Sequence, residues 1–186
     1  MISPWHLRNA TRILGAGGVV AYPTEAVYGL GCDPCSPEAV AALLEIKQRP
    51  WQKGLILIAA SLEQLSPYLA PLSPELEAKL LETWPGPVTW LLPAAPSAPQ
   101  WITGDHDTVA VRVSNHPLVV ELCNQFGSAI VSTSANLAGQ PPAKNIHRVQ
   151  KHFGDKIDYI LHGPLGGHER PSEIRDGLSG KVIRQK

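Results

Sequence analysis

Charge is scarce in this chain. Asp, Glu, Lys and Arg make up 17% of its 186 residues, against about 25% in an average globular protein. The two signs cancel, with 16 Lys plus Arg and 16 Asp plus Glu. That balance excludes a bulk polycation holding nucleic acid by charge alone, but leaves room for a local basic pocket. Three cysteines occur; they cannot all pair, which suits a reducing cytosol better than a disulfide framework. No apolar run approaches the ~18 residues of a membrane span, so no membrane association is expected. The start, Met1-Ile2-Ser3-Pro4-Trp5-His6, has no basic residue followed by an apolar stretch and does not read as a signal peptide.

Familiar catalytic signatures are missing as well. There is no Gly-x4-Gly-Lys-Ser/Thr phosphate loop, no His-Glu-x-x-His and no Gly-x-Ser-x-Gly elbow. Gly15-Ala16-Gly17-Gly18 lacks the dinucleotide-binding spacing and precedes a strand where that fingerprint would follow one. Cys32 and Cys35 have the spacing of a metal or redox pair, yet no second Cys pair or close His pair completes a four-ligand zinc site. The segment therefore reads as a tight turn without metal. Cys123 lies on an apolar helix face and reads as core.

What is present points to one α/β domain spanning residues 1–186. The length is close to one domain at about 150 residues each and can bury about 70% of the unfolded surface. Hydrophobic residues are 44% of the chain, and the 18 prolines and 16 glycines sit between apolar runs rather than in one linker. Pro93 to Pro99 reads as a surface loop. Ser3-Pro4, Ser36-Pro37 and Ser73-Pro74-Glu75 each place a capping side chain before a proline at the first helical position. Between them lie strand-length apolar runs: residues 18–22, 55–60, 88–92, 108–113, 129–132 and 157–161. Strands alternating with helices predict a sheet that is parallel in part. Consecutive apolar residues such as Leu55-Ile56-Leu57-Ile58 predict strands covered on both faces.

Three polar clusters stand out. The segment Tyr22-Pro23-Thr24-Glu25-Ala26-Val27-Tyr28-Gly29-Leu30-Gly31 follows a strand, and its glycines and proline suit a turn where backbone approaches a ligand; a purely structural turn fits equally. Lys47-Gln48-Arg49-Pro50-Trp51-Gln52-Lys53 gathers three cations between a helix and a strand. They either complement the helix dipole or supply charge-assisted donors to a polyphosphate. Ser132-Thr133-Ser134-Ala135-Asn136 follows a buried strand, where hydroxyls cap a turn or line a pocket at a carboxyl end.

These pieces resemble the YrdC/TsaC-type threonylcarbamoyl-AMP synthase family in its short bacterial form. The resemblance rests on Tyr22 to Leu30, Lys47-Gln48-Arg49-Pro50, Val109-Ala110-Val111-Arg112-Val113 with His116-Pro117, Ser132 to Asn136, and Pro171-Ser172-Glu173-Ile174-Arg175-Asp176, in the family's order. It implies a twisted open mixed sheet flanked by helices, with a ligand pocket in a concave basic cleft. It also implies a cytoplasmic nucleotidyltransferase making threonylcarbamoyl-adenylate and pyrophosphate from L-threonine, bicarbonate and ATP. That is the first step of N6-threonylcarbamoyladenosine synthesis at position 37 of tRNAs, the product passing to a tRNA threonylcarbamoyl-transferase complex.

By the same resemblance the catalytic tetrad is Lys47, Arg49, Ser134 and Asn136. ATP is held by Arg49, Lys53, Thr108, Asn136 and Arg184, threonine by Thr24, Arg112 and Ser172. Mg2+ is expected with ATP, without protein side chains as its ligands. Two departures are visible. Ile58 stands where some longer members place a His against threonine. Glu173 and Arg175 stand where many members have Thr and Val, so Glu173 is either a solvated charge or a water-mediated Mg2+ partner. The alternative function is an RNA-binding module for double-stranded RNA or tRNA, resting on the basic run Lys144, His147, Arg148, Lys151, His152 and Lys156, which also reads as the solvated face of a helix.

Overall fold

A computed structural model describes residues 3–137 and 139–184; Met1 and Ile2, at the start of the segment read as lacking a signal peptide, lie outside them. Three helices begin where a serine precedes a proline. They are α1 (Pro4–Gly15), α2 (Pro37–Lys47) and α3 (Pro74–Leu81). Ser36 Oγ accepts the Ala39 N–H at 3.1 Å and Ser73 Oγ that of Leu76 at 3.3 Å, each satisfying a helix-start donor. The remaining helices are α4 (Gln100–Thr103), α5 (Pro117–Phe126) and α6 (Ile146–Phe153).

The strands are β1 (Val20–Pro23), β2 (Tyr28–Gly31), β3 (Ile56–Ala59), β4 (Val88–Pro93), β5 (Thr108–Val113), β6 (Ile130–Ser134), β7 (Tyr159–Ile160), β8 (Glu173–Asp176) and β9 (Val182–Arg184). They form one open mixed sheet in the order β7-β1-β2-β6-β3-β5-β4-β8-β9. The pairs β1–β7, β3–β5 and β4–β8 are parallel and the other five antiparallel.

Side-chain alternation divides the two faces. One face, carrying Leu30, Leu57, Trp90, Val111 and Val131, packs against Val40 and Leu43 of α2, Leu80 of α3 and Val149 and Phe153 of α6. The other is covered only at one end, where Val20, Tyr22, Ile58 and Ile130 meet Leu14 of α1 and Leu118, Leu122 and Cys123 of α5. Beyond that end Ile56, Ala110, Leu91 and Ile174 line a cavity, flanked by Ile102 and Thr103 of α4. The expectation that Leu55-Ile56-Leu57-Ile58 is covered on both faces holds for Leu57 and Ile58, which are fully buried, but not for Ile56.

The β1–β2 hairpin was expected as a turn. The Tyr22 ring lies across β2, and a methyl on Gly31 would come 2.8 Å from Tyr22 Cε1 and 2.4 Å from the Val131 carbonyl oxygen. Glycine at that position therefore lets the neighbouring strand and the ring approach, rather than breaking the strand.

Candidate active site

The cavity encloses about 470 Å3, within the ~300–1,000 Å3 range of small-molecule sites. The three polar clusters, far apart in sequence, meet around it. The β1–β2 turn supplies Thr24 and Glu25, the segment after α2 supplies Arg49 and Lys53, and the end of β6 supplies Ser132 and Ser134. β5 adds Thr108 and Arg112, and the C-terminal strands add Ser172 and Arg184. Antiparallel pairing of β2 with β6, Gly29 opposite Ser134, brings the first and third clusters together.

The lining is strongly cationic. Arg49, Lys53, Arg112, Arg170 and Arg184 face it, and Glu25 is its one carboxylate among the described residues. Lys53, Arg170 and Arg184 are exposed, Arg49 is half-buried and Arg112 is buried at the base. Arg49 is braced by Nη2–H donation to the Gly54 carbonyl at 2.9 Å, and Arg184 by donation to the Ser172 carbonyl at 2.8 Å. Thr24 Oγ1 donates to Val27 O at 2.7 Å, leaving its lone pairs to accept. Ser172 Oγ lies 3.0 Å from Thr89 Oγ1, a buried hydroxyl that also lines the cavity.

Two expected residues stand behind the wall rather than in it. Lys47 is buried, and its ammonium donates to Ser134 O at 2.6 Å, Asn136 O at 2.5 Å and Asn136 Oδ1 at 2.9 Å. Burial, then the nearby Arg49 guanidinium, pushes Lys47 down to about 8. Asn136 Oδ1 also accepts the Ser134 hydroxyl at 2.6 Å, while its amide donates to Leu137 O and Gln140 O. Lys47, Ser134 and Asn136 thus form one closed knot, of which Ser134 faces the cavity.

Residues that carried no role in the sequence reading surround Arg112. Glu25 Oε2 lies 3.2 Å from Arg112 Nη2, and Ser114 Oγ–H donates to Glu25 Oε1 at 2.6 Å. Burial alone would raise the Glu25 pKa; the Arg112 charge and the Ser114 bond outweigh it and hold the carboxyl below its ordinary value. Glu25 sat in the quoted Thr24-Glu25 motif, but nothing local marks its partner, which is 87 residues away. Ile58 is beside Arg112 in register yet lies under α5, so it makes no contribution to the lining. Glu173 lies outside the cavity lining and is ion-paired with Arg175, whose guanidinium sits 5.6 Å from the Trp90 ring centroid.

The other singled-out segments are accounted for by packing. Cys32 is buried and Cys35 exposed; the Cys35 N–H donates to Asp33 Oδ1 at 2.8 Å in a tight turn. Cys123 is buried against Ile58. On α6, Val149 and Phe153 face the core while His147 and Lys151 are exposed, the arrangement of a solvated helix face.

Residues 12–185 match the Sua5/YciO/YrdC family, whose description reads telomere recombination. The chain is 57% identical over 181 residues to threonylcarbamoyl-AMP synthase of Yersinia enterocolitica, covering 96% of this chain and 95% of that one. It is 53% identical over 182 residues to the same enzyme of Halorhodospira halophila, covering 98% and 95%. Among solved structures, P. abyssi Sua5 complexed with L-threonine superposes with a TM-score of 0.89 at 36% identity over 95% of this chain. This chain spans 52% of that Sua5 chain's length.

Proposed function

The chain belongs to the Sua5/YciO/YrdC family, and from that premise we propose that it is a nucleotidyltransferase making threonylcarbamoyl-adenylate and pyrophosphate from L-threonine, bicarbonate and ATP. This is the first step of N6-threonylcarbamoyladenosine formation at position 37 of tRNA. The observation that carries the proposal is the convergence, in one cavity, of five cations with the Thr24, Ser172 and Ser134 hydroxyls. Every substrate of the reaction is anionic or bears a carboxylate, and fixed cations are what such a pocket needs.

Arg112 with Thr24 and Ser172 receives threonine; a buried guanidinium grips a carboxylate with two parallel donors. Arg49, Lys53, Thr108 and Arg184 receive ATP, and Arg184, bonded to the Ser172 carbonyl, stands where the two substrates meet. The threonine amine attacks the carbon of CO2, releasing a proton to solvent, or of bicarbonate, releasing water, to give a carbamate. A carbamate oxygen then attacks the α-phosphorus, and pyrophosphate leaves. None of these steps needs a covalent nucleophile from the protein; positioning and charge stabilisation supply the acceleration. Lys47 and Asn136, both occupied by the knot, act by holding Ser134 and the chain after β6 against the nucleotide, and Asn136 reaches ATP only by exchanging one of its present bonds.

Mg2+ enters with ATP. Among the described residues the lining offers only Glu25 as a carboxylate, and that group is already engaged by Ser114 and Arg112. The donor set therefore does not fit a protein-ligated Mg2+, a cation that is otherwise satisfied by phosphate oxygens and water. The free cysteines suit a reducing, cytoplasmic setting, and among the described residues no helix is long and apolar enough to cross a membrane. The adenylate is a reactive mixed anhydride, so it passes to a tRNA threonylcarbamoyl-transferase complex.

The test is incubation with ATP, bicarbonate and each amino acid in turn, followed by pyrophosphate assay and mass analysis of the adenylate. Release that requires threonine supports the synthase. No release with any amino acid, together with salt-sensitive RNA binding, replaces it with the RNA-binding module, for which the exposed Lys144, Lys151 and Lys156 are the available cations.

A further inference from the structure

Glu25 is out of character with its surroundings. It is the one carboxylate among the described residues lining a cavity built to receive anions. It is only 3% exposed, and burying an ionised carboxylate is costly unless it is paired. It does not reach substrate through Oε2, because that atom is sealed from solvent. Its neighbours are all on the protein: Ser114 Oγ–H donating to Oε1 at 2.6 Å, and Arg112 Nη2 at 3.2 Å from Oε2. The approach to Arg112 is a charge contact without an aligned hydrogen bond. Such contacts in ligand-free sites tighten when the ligand arrives.

The frame that holds Glu25 is equally deliberate. Its carbonyl accepts the His168 N–H at 2.9 Å, and the Thr24 carbonyl accepts that of Gly166 at 3.1 Å, so a strap after β7 lies across the turn. A methyl on Gly166 would come 2.9 Å from Glu25 Cα and 3.2 Å from His116 Cδ2, so the strap fits only as glycine. The Ser114 hydroxyl also accepts the His116 N–H at 3.1 Å, tying the carboxylate to the first turn of α5.

Resting on the reading of Arg112 as the threonine-carboxylate ligand, we propose that Glu25 is a positioning residue that sets the orientation of the Arg112 guanidinium, with Ser114 locking the Glu25 carboxylate in turn. One edge of the guanidinium faces Glu25, leaving another for the substrate carboxylate. The chemistry requires a carboxylate here and not an amide. Both partners of Glu25 present donors, Ser114 through O–H and Arg112 through N–H. A carboxylate accepts from both; an amide has one accepting atom and turns its NH2 toward one of the two donors.

The experiment compares L-threonine with L-threoninamide, which lacks the carboxylate charge, as competing ligands in wild type, Glu25→Gln and Ser114→Ala. KM for threonine, KM for ATP and kcat are measured alongside. Glu25→Gln should raise the threonine KM and cut the preference for threonine over threoninamide by roughly tenfold or more, the worth of one charge-assisted bond. The ATP KM and kcat at saturating threonine should change little. Ser114→Ala should shift the same preference in the same direction by a smaller factor, and it decides the matter if Glu25→Gln fails to fold. A folded Glu25→Gln that keeps the wild-type preference overturns the proposal, as does an equal loss for both ligands, which marks a purely structural role. Failure of wild type to use threonine at all overturns the underlying reading instead, and the two failures are thereby distinct.

Discussion

Arg49 is one of five cations facing the cavity among the described residues. Its guanidinium is half-buried and braced on Gly54 O, so little rotamer entropy is lost when phosphate binds. Arg49→Ala should weaken ATP binding about ten- to a hundredfold, the worth of charge-assisted bonds of roughly 1.5–3 kcal/mol; calorimetry on the folded variant checks this, and unchanged affinity removes Arg49 from the phosphate site. Amino-acid choice is set by the hydroxyls around Arg112. Because Thr24 has committed its proton to Val27 O, it can only accept from the substrate hydroxyl. We expect threonine to be used above serine, and both far above valine, since a site built for a hydroxyl leaves its own polar groups unpaired when that hydroxyl is missing. Equal turnover of valine and threonine sinks this expectation. The two cysteines of the turn should part company: Cys35→Ser is close to neutral, whereas Cys32→Ser places a hydroxyl at a position with no exposure and should cost about 1–3 kcal/mol by thermal or urea unfolding.

At the level of elements, the decisive joint is where α2 ends against the chain leaving β6. Lys47 closes it by donating to two backbone carbonyls and one amide oxygen. Lys47→Met should remove all three bonds, leaving Ser134 O with only the Asn136 N–H and Asn136 Oδ1 with only the Ser134 hydroxyl, destabilise the protein by about 1–3 kcal/mol, and slow adenylate formation because the joint no longer holds Ser134 from the α2 side. With Lys47 pushed down to about 8, the wild-type pH–rate profile should fall on its alkaline side as the ammonium loses its proton near that value. A profile flat to pH 9.5, roughly a unit and a half higher, refutes the joint as a determinant of rate. The elements read from sequence divide by cause. Helices α1, α2 and α3 were visible because serine caps and prolines are local signals. β2 was not, because Tyr28-Gly29-Leu30-Gly31 has turn composition and becomes a strand only beneath Tyr22. β8 and β9 were not, because three of the four residues of Glu173-Ile174-Arg175-Asp176 are charged and the segment gains its ladder from β4 and β9.

For the molecule as a whole, the acid side of the stability curve carries a signature of the site. Glu25 has a folded pKa below its unfolded value of about 4.3. Below that value the unfolded state binds more protons, so the stability Glu25 contributes is present above it and is lost as pH falls through the folded pKa. Denaturant unfolding between about pH 5 and pH 3 should therefore lose stability more steeply in wild type than in Glu25→Gln; parallel slopes would remove the Glu25–Arg112 pair from the account. ATP affinity should likewise decline with added salt, most through the exposed Lys53 and Arg184, whose interactions are screened more than that of the buried Arg112.

By itself the sequence determined the α/β alternation, the helix starts, the strand positions with continuous β-branched character, and the three polar clusters, since each depends on neighbours a few residues away. The tertiary structure decided what those clusters amount to. It left Ile56, Ala110 and Leu91 lining a cavity instead of a core. It placed Arg49 in the wall but turned Lys47, two residues earlier, into the knot with Asn136, a distinction that helical phase and the position of β6 make and local spacing does not. It also paired Glu25 with Arg112 across 87 residues, because a buried charge must find its partner in space, and no pattern along the chain records where that partner stands.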